Sequence, residues 1–305
     1  MKNINFLLIA VFLMGLIACQ SDNSTPSSSS EAKTATKEKP NPLETFKNSL
    51  TFYSSFDLGP SANFAKGDKN MWTANSRKEV AKATGGMTNL DHQIGQPGQS
   101  GAGHLKFGKK TNKKVIFYKS KGNVPTAETN WTGTISFWLK VDPVNDLAPG
   151  FTDPIQITDV NYDDASIWVD FTKENPRDFR LGVFGDKAVW TKDTLATPKD
   201  TIMEKRFVRV KELPFSSEKW THVLITYQAL GTPQSNSSLY LDGEKIGAIE
   251  GIADSFTWEV ANSNIYLGLN FIGAMDELSI YNIAFTDDQV KSFYQLDNGV
   301  KSIFR

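Results

Sequence analysis

Cysteine is nearly absent. Cys19 is the only one, so neither an intrachain disulfide nor a zinc site built on several cysteines can form. An excess of one charge is missing too: 33 Lys and Arg stand against 34 Asp and Glu, a formal net charge of −1. That balance excludes a general polyanion binder, which needs a clear surplus of basic residues. Histidine is scarce, with three scattered at His92, His104 and His222. What the chain does have is material for a core: 39% hydrophobic and 11% aromatic residues over 305 positions. Wholesale disorder is excluded, and the length suits one large domain or two small ones.

The single cysteine finds its explanation at the amino end. Lys2 precedes an uncharged, mostly apolar run from Ile4 to Ala18. That run is too short to cross a hydrocarbon layer about 30 Å thick as a helix. It fits the apolar region of a secretory signal peptide. Leu16-Ile17-Ala18-Cys19 resembles the lipobox of bacterial lipoproteins. The resemblance implies cleavage before Cys19 and acylation of that residue. The expectation is therefore a signal peptide over 1–18 and a lipid-anchored, extracytoplasmic protein of a bacterial envelope, at the outer membrane or cell surface. Several acyl chains hold where one alone would be reversible. Residues 19–49 then read as a tether, rich in Ser, Thr and Pro, with four acids balancing four lysines from Gln20 to Ser49.

Beyond residue 50 the periodicity is two. In Thr134–Val141, Ile135, Phe137, Leu139 and Val141 alternate with Ser136, Trp138 and Lys140. Similar alternation recurs at 51–57, 166–172, 178–184, 207–211, 219–228, 238–242, 265–269 and 275–281. These predict short strands separated by Gly, Pro, Asn and Asp. Asp242-Gly243 sits between two such runs, where it suits the positive φ of a type I′ hairpin. One helix is legible near the end: Thr286 as cap, Gln289 at the capping-box position, and Val290, Phe293 and Tyr294 as an apolar stripe. Many strands with one terminal helix predict an all-β, two-sheet sandwich over residues 50–305. Residues 58–103 form an irregular excursion from it.

Five segments in order carry a resemblance: Gly133–Lys140, Trp220–Val223, Leu239–Gly247, Gly273–Asn282 and Ala284–Val290. Together they resemble a laminin G-like domain of the concanavalin A-like lectin and glucanase class. The resemblance implies an antiparallel jelly roll. It also implies a structural Ca²⁺ held between the first strand and the Gly-x-x-Asp-Glu strand, at positions matched here by Asp57 and Asp276. The other reading of these two is that they bond to loop amides.

Glucanases of this class carry Glu-x-Asp-x-Glu or Glu-x-Asp-x-x-Glu on one strand, and neither spacing occurs here. Strict alternation would turn Asp276 and Glu277 to opposite faces, so the expectation is a non-catalytic protein. Between Lys140 and Lys173 there are seven Asp and no basic residue. Asp159 to Asp170 imitates an EF-hand loop, but Asp164 replaces the turn glycine and the last ligand is not Glu. Just upstream, seven lysines from Lys106 to Lys121 form a basic stretch. His222 lies in an alternating strand and reads as a packed histidine.

Carbohydrate binding needs aromatic faces for sugar C–H groups and polar side chains for hydroxyls. With Ile167, Val169 and Phe171 facing inward, Trp168 and Asp170 share the other face, and Arg180 projects the same way from the next run. Trp168, Asp170 and Arg180, with Trp190 in the following loop, form the candidate sugar platform. Packing of Trp168 and Trp190 under a loop is the alternative. The sequence thus predicts a glycan-binding or adhesive module. A glycoside hydrolase on the same fold and a protein-binding envelope lipoprotein stand as the other two classes.

Overall fold

The computed structural model describes residues 41–88, 92–108, 114–192 and 197–304. The signal peptide, Cys19, most of the tether, and Lys109, Lys110 and Lys113 lie outside the described residues.

Two antiparallel sheets face one another. The first contains β1 (Leu50–Ser54), β2 (Phe64–Ala65), β5 (His92–Gly95), β6 (His104–Phe107), β8 (Trp131–Lys140), β13 (Thr221–Leu230), β14 (Asn236–Leu241), β15 (Glu244–Glu250) and β17 (Gly273–Tyr281). Its order is β15-β14-β13-β8-β17-β1-β2, and the β5–β6 hairpin joins through β6 on β17. The second contains β3 (Trp72–Ala74), β4 (Thr84–Gly85), β7 (Val115–Lys119), β9 (Thr152–Thr158), β10 (Ser166–Phe171), β11 (Phe179–Phe184), β12 (Phe207–Val210) and β16 (Asn264–Leu269). Its order is β12-β11-β10-β9-β16-β7-β3-β4. The architecture is the predicted all-β sandwich.

Alternation puts one side of the central strands into the space between the sheets. Ile135, Phe137 and Leu139 of β8 and Val223 and Ile225 of β13 meet Ile155, Ile157, Ile167, Val169, Leu181 and Ile265 from the second sheet. Each is at most 1% exposed, so the transfer of apolar surface is complete along this seam. The β14–β15 turn has Asp242 at φ 48° and Gly243 at φ 82°, the left-handed pair that a type I′ hairpin requires.

Outer faces are covered unequally. Over the first sheet lie α1 (Pro42–Ser49), α4 (Asp287–Tyr294) and a terminal 3-10 helix (Gly299–Phe304). Phe46, Val290, Phe293, Val300 and Ile303 from these pack on Tyr53, Leu224, Tyr240 and Tyr281. The capping box of α4 is present as predicted, with Thr286 Oγ1 accepting from Gln289 N and Gln289 Oε1 from Thr286 N. Helix α1 departs from the expected tether: Phe46 is fully buried, so the folded unit begins upstream of residue 50. Asn41 caps it through Leu43 N, with Pro42 at its first position. Over the second sheet lie α2 (Lys187–Trp190), α3 (Lys199–Glu204) and a short 3-10 helix (Arg77–Lys82) whose Val80 packs beside Phe117 and Tyr266.

Candidate functional site

A cleft of about 370 Å³ opens on the outer face of the second sheet. Strands β9, β10 and β11 form its floor, and their outward residues follow from the pleat. Gln156, Trp168 and Asp170 alternate with the buried Ile157, Ile167 and Val169, and Arg180 stands opposite Asp170 in the β10–β11 register. Met203 and Glu204 of α3, with Phe207 of β12, make one wall. The other is Arg77, brought in by the 58–103 excursion and laid over the Tyr266 ring at 4.9 Å.

Asp170 and Arg180 come together as predicted, but as a pair with each other. Arg180 Nε donates to Asp170 Oδ1 at 2.8 Å and Nη2 to Oδ2 at 2.5 Å, with both side chains buried. Three rings surround the guanidinium: Phe207 at 4.7 Å, Phe151 at 5.1 Å and Trp168 at 5.4 Å. The fork fixes the floor and leaves Asp170 no free oxygen aimed at a ligand.

Trp168 lines the cleft without serving as an open platform. It is 3% exposed, stacks on Phe184, and donates its indole N–H to Tyr162 O at 2.7 Å. Gly182 opposite makes room for it, since a Cβ there would lie 2.3 Å from the indole ring. Trp190 is not part of the cleft. It is fully buried behind Phe184 and bonded through its indole N–H to Asp163 O at 2.9 Å. Its position in α2 turns it beneath the helix, so the packing alternative holds for this residue. The most exposed aromatic rings lining the cleft are Phe151, 47% exposed, and Tyr162, 40% exposed. Strand alternation could not reveal them, because both lie in the connections flanking β9. A large apolar side chain among the turn residues Gly150, Asn161 and Asp163 is the one signal the sequence offers.

The acidic stretch disperses. Asp142 and Asp146 bond to a turn around Val144 and Asn145, Asp163 pairs with Lys187, and Asp159 accepts from Glu259 N. Only Asp153 and Asp170 of the seven line the cleft. Burial, with the Asp170 carboxylate beside it, holds the Asp153 carboxyl above the ordinary carboxylate range.

Asp57 and Asp276 meet the same loop from two sides. Gly103 N donates to Asp57 Oδ1 at 2.8 Å, and Gln99 N to Asp276 Oδ2 at 2.6 Å. The Lys301 ammonium sits 2.5 Å from Asp57 Oδ2. Burial opposes ionisation of Asp57, but Lys301 and the Gly103 N–H hold its pKa below the usual value. Asp276 lacks such a cation, and burial pushes it up to about 8. Calcium wants six to eight oxygens. The residues present do not fit that ion as arranged. Lys301 and backbone N–H groups take the carboxylate oxygens, and among the described residues no three His, Cys, Asp or Glu side chains gather into a metal site. The reading that these two aspartates bond to loop amides describes the geometry.

Strict alternation fails at Asp276-Glu277. A bulge with Glu277 at φ 52° turns its carboxylate toward Tyr53 OH and Val300 N. Both carboxylates are buried, and neither stands in the cleft.

A Ser–His contact exists elsewhere. Ser136 Oγ lies 2.8 Å from His222 Nε2, beside a 250 Å³ cavity under α4. A nucleophile of this kind needs an acid on the other ring nitrogen. His222 Nδ1 has no partner, the ring stacks on Phe293 and Tyr294, and burial lowers its pKa to about 3. His222 is the packed histidine the sequence predicts. Trp138 and Trp220 are half-buried on the outer face, against Tyr294 and His104.

Comparison with known proteins agrees with this architecture. The family described as the concanavalin A-like lectin/glucanases superfamily matches residues 111–291, more than half of the chain. The chain belongs to that superfamily. Among solved structures, the binding domain of botulinum neurotoxin serotype D is similar at 11% identity and TM-score 0.55, over 84% of this chain and 52% of that one. The ligand-binding domain of the same serotype, in complex with N-acetylneuraminic acid, gives 10% identity and TM-score 0.52 over the same shares. Domain 4 of an extracellular GH43 arabinanase from Geobacillus stearothermophilus, in complex with arabinotriose, gives 17% identity and TM-score 0.49 over 81% of this chain and 98% of that one. The chain spans about half the length of the neurotoxin domains, and the two likenesses to these domains show the fold. No curated protein matches the sequence.

Proposed function

We propose that this chain is a non-catalytic carbohydrate-binding module that takes a glycan in the cleft over β9–β11. One observation carries the reading: exposed rings, Phe151 and Tyr162, stand at the rim of a cleft whose floor is polar and rigid. Its volume lies in the range of ligand sites, about 300–1,000 Å³. Rings of this kind cover sugar C–H faces, while side chains below meet hydroxyls. The partner is a glycan, free or carried on a cell-surface or matrix protein. The lipobox-like run supports display outside the cytoplasm on a lipid at Cys19. Replacing Cys19 with Ser is expected to abolish labelling of the expressed full chain by a fatty-acid analogue. Retained labelling would remove the anchor.

The glycan reading is tested by screening the purified full chain against a glycan array, beside Phe151→Ala and Tyr162→Ala. Specific binding that falls in both variants supports it. A blank array on folded protein removes it.

A second reading has one observation in its favour: Asp153 and Asp170 share the cleft, as a hydrolase pair would. Asp170, however, gives both oxygens to Arg180 and is not available as nucleophile or base. Oligosaccharides that bind are expected to be recovered uncleaved.

A further inference from the structure

Gln156 is fully buried in the floor of the cleft, and its amide oxygen has no hydrogen-bond partner. Its amide nitrogen is engaged, donating to Asp153 Oδ2 at 3.3 Å, so the amide is oriented with the free acceptor as its unused group. A buried acceptor without a donor costs roughly 1–3 kcal/mol. Retaining one at the bottom of an open cleft is accounted for by a ligand that brings the donor.

The charges around it narrow the ligand. Four carboxylates line the cleft, on Asp153, Asp170, Asp200 and Glu204, against the guanidiniums of Arg77 and Arg180. Two carboxylates are already matched: Asp170 by Arg180, and Glu204 by Arg209 at 2.5–2.8 Å. Burial holds the Asp153 carboxyl toward its neutral form, which leaves the exposed Asp200 against Arg77, one of whose N–H groups is spent on Val160 O. The charges balance, and no guanidinium is left over to pair with a carboxylated ligand.

Resting on the glycan reading above, we propose that the cleft selects neutral, hydroxyl-rich sugars. The Gln156 amide oxygen receives a sugar O–H at the floor, and the exposed Asp200, with no spare cation beside it, disfavours carboxylated sugars. A site built to accept a hydrogen bond rejects ligands that cannot donate one, because its acceptor is then left buried and bare.

The test compares neutral oligosaccharides with uronic-acid and sialylated ones, as ligands of the purified full chain in calorimetric titrations. Neutral sugars are expected to bind and carboxylated ones to bind at least tenfold more weakly. Gln156→Leu removes the acceptor, together with the amide N–H that meets Asp153 Oδ2. It is expected to fold and to lower neutral-sugar affinity about tenfold or more. Asp200→Asn, at an exposed position, is expected to narrow the gap between the two sugar classes. Tighter binding of carboxylated sugars in the cleft, or unchanged affinity in a folded Gln156→Leu protein, overturns the selectivity while leaving glycan binding standing. No binding by either sugar class overturns both.

Discussion

The two outer faces of this sandwich are built by the same alternation and finished differently. On the first sheet, outward Tyr53, Leu224 and Tyr281 are sealed by Phe46, Phe293 and Ile303 from three helical segments. On the second sheet, outward Phe117 and Tyr266 form one small cluster, and Trp168, Phe184 and Trp190 another. The polar floor of Gln156, Asp170 and Arg180 lies between them. Apolar outward residues draw a cover over themselves. Polar ones paired across strands leave the face open, because burying them under a helix would cost more than it returns. Outward composition, rather than strand pattern, decides which face becomes a wall and which becomes a site.

The comparison can be broken most severely at the sealed face. Phe293→Ala removes a ring packed on Phe46, Tyr281 and Phe285, and should cost about 3–5 kcal/mol in urea unfolding. Its effect on glycan affinity per folded molecule should be negligible. On the open face the comparable loss comes from charge. Arg180→Ala strands Asp170 in a buried position and should cost ~3–5 kcal/mol, whereas replacing both partners with apolar residues of similar volume should recover most of it. Equal losses in the single and double replacements would contradict the pairing.

At the rim the two properties should separate. Phe151→Ala and Tyr162→Ala remove exposed rings, so stability should change by no more than about 0.5 kcal/mol. Affinity for a bound glycan should fall about tenfold in calorimetric titration, the size of a truncated aromatic anchor. Large destabilisation with unchanged affinity would assign these rings to packing.

Stability should also depend on pH from both sides. Asp276, raised from 3.8 to about 8, carries a proton in the folded chain that the unfolded chain has released, so stability falls as pH climbs from about 4 to 8. Asp276→Asn should flatten that limb. His222, lowered from 6.5 to about 3, is neutral when folded and protonated when unfolded, so stability falls as pH drops from 6.5 toward 3. The two oppose each other between about pH 4 and 6.5, so urea midpoints should be nearly flat there and fall from about 6.5 to 8, with the His222 limb emerging in Asp276→Asn. The smallest effect should be that of chelator: with Lys301 on Asp57, EDTA should leave the melting temperature unchanged, and a clear drop would restore calcium to this loop.

Much of this was legible because alternation reports faces. Strands β8, β10, β11, β13, β14, β16 and β17, the Asp242-Gly243 turn and the α4 capping box could be read from residue types alone. So could the shared outward face of Asp170 and Arg180. What alternation cannot report is what covers a face. Trp168 and Trp190 stood out by chemistry, but α2 and α3, which bury them, are four and six residues long, too short for a periodic signal. Helix α1 hid in a polar, Pro-containing stretch whose one buried ring, Phe46, contacts residues far along the chain. The Asp57–Lys301 pair joins opposite ends of the domain, and no local pattern predicts that partner.

The most direct measurement is hydrogen exchange on the full chain, with and without an oligosaccharide taken from the array. Protection should appear in residues 151–170 and 199–207, around the cleft, and be absent from α1, α4 and the strands beneath them. Protection centred instead on Trp220, His104 and the 93–97 segment would place the ligand on the first sheet and contradict the account.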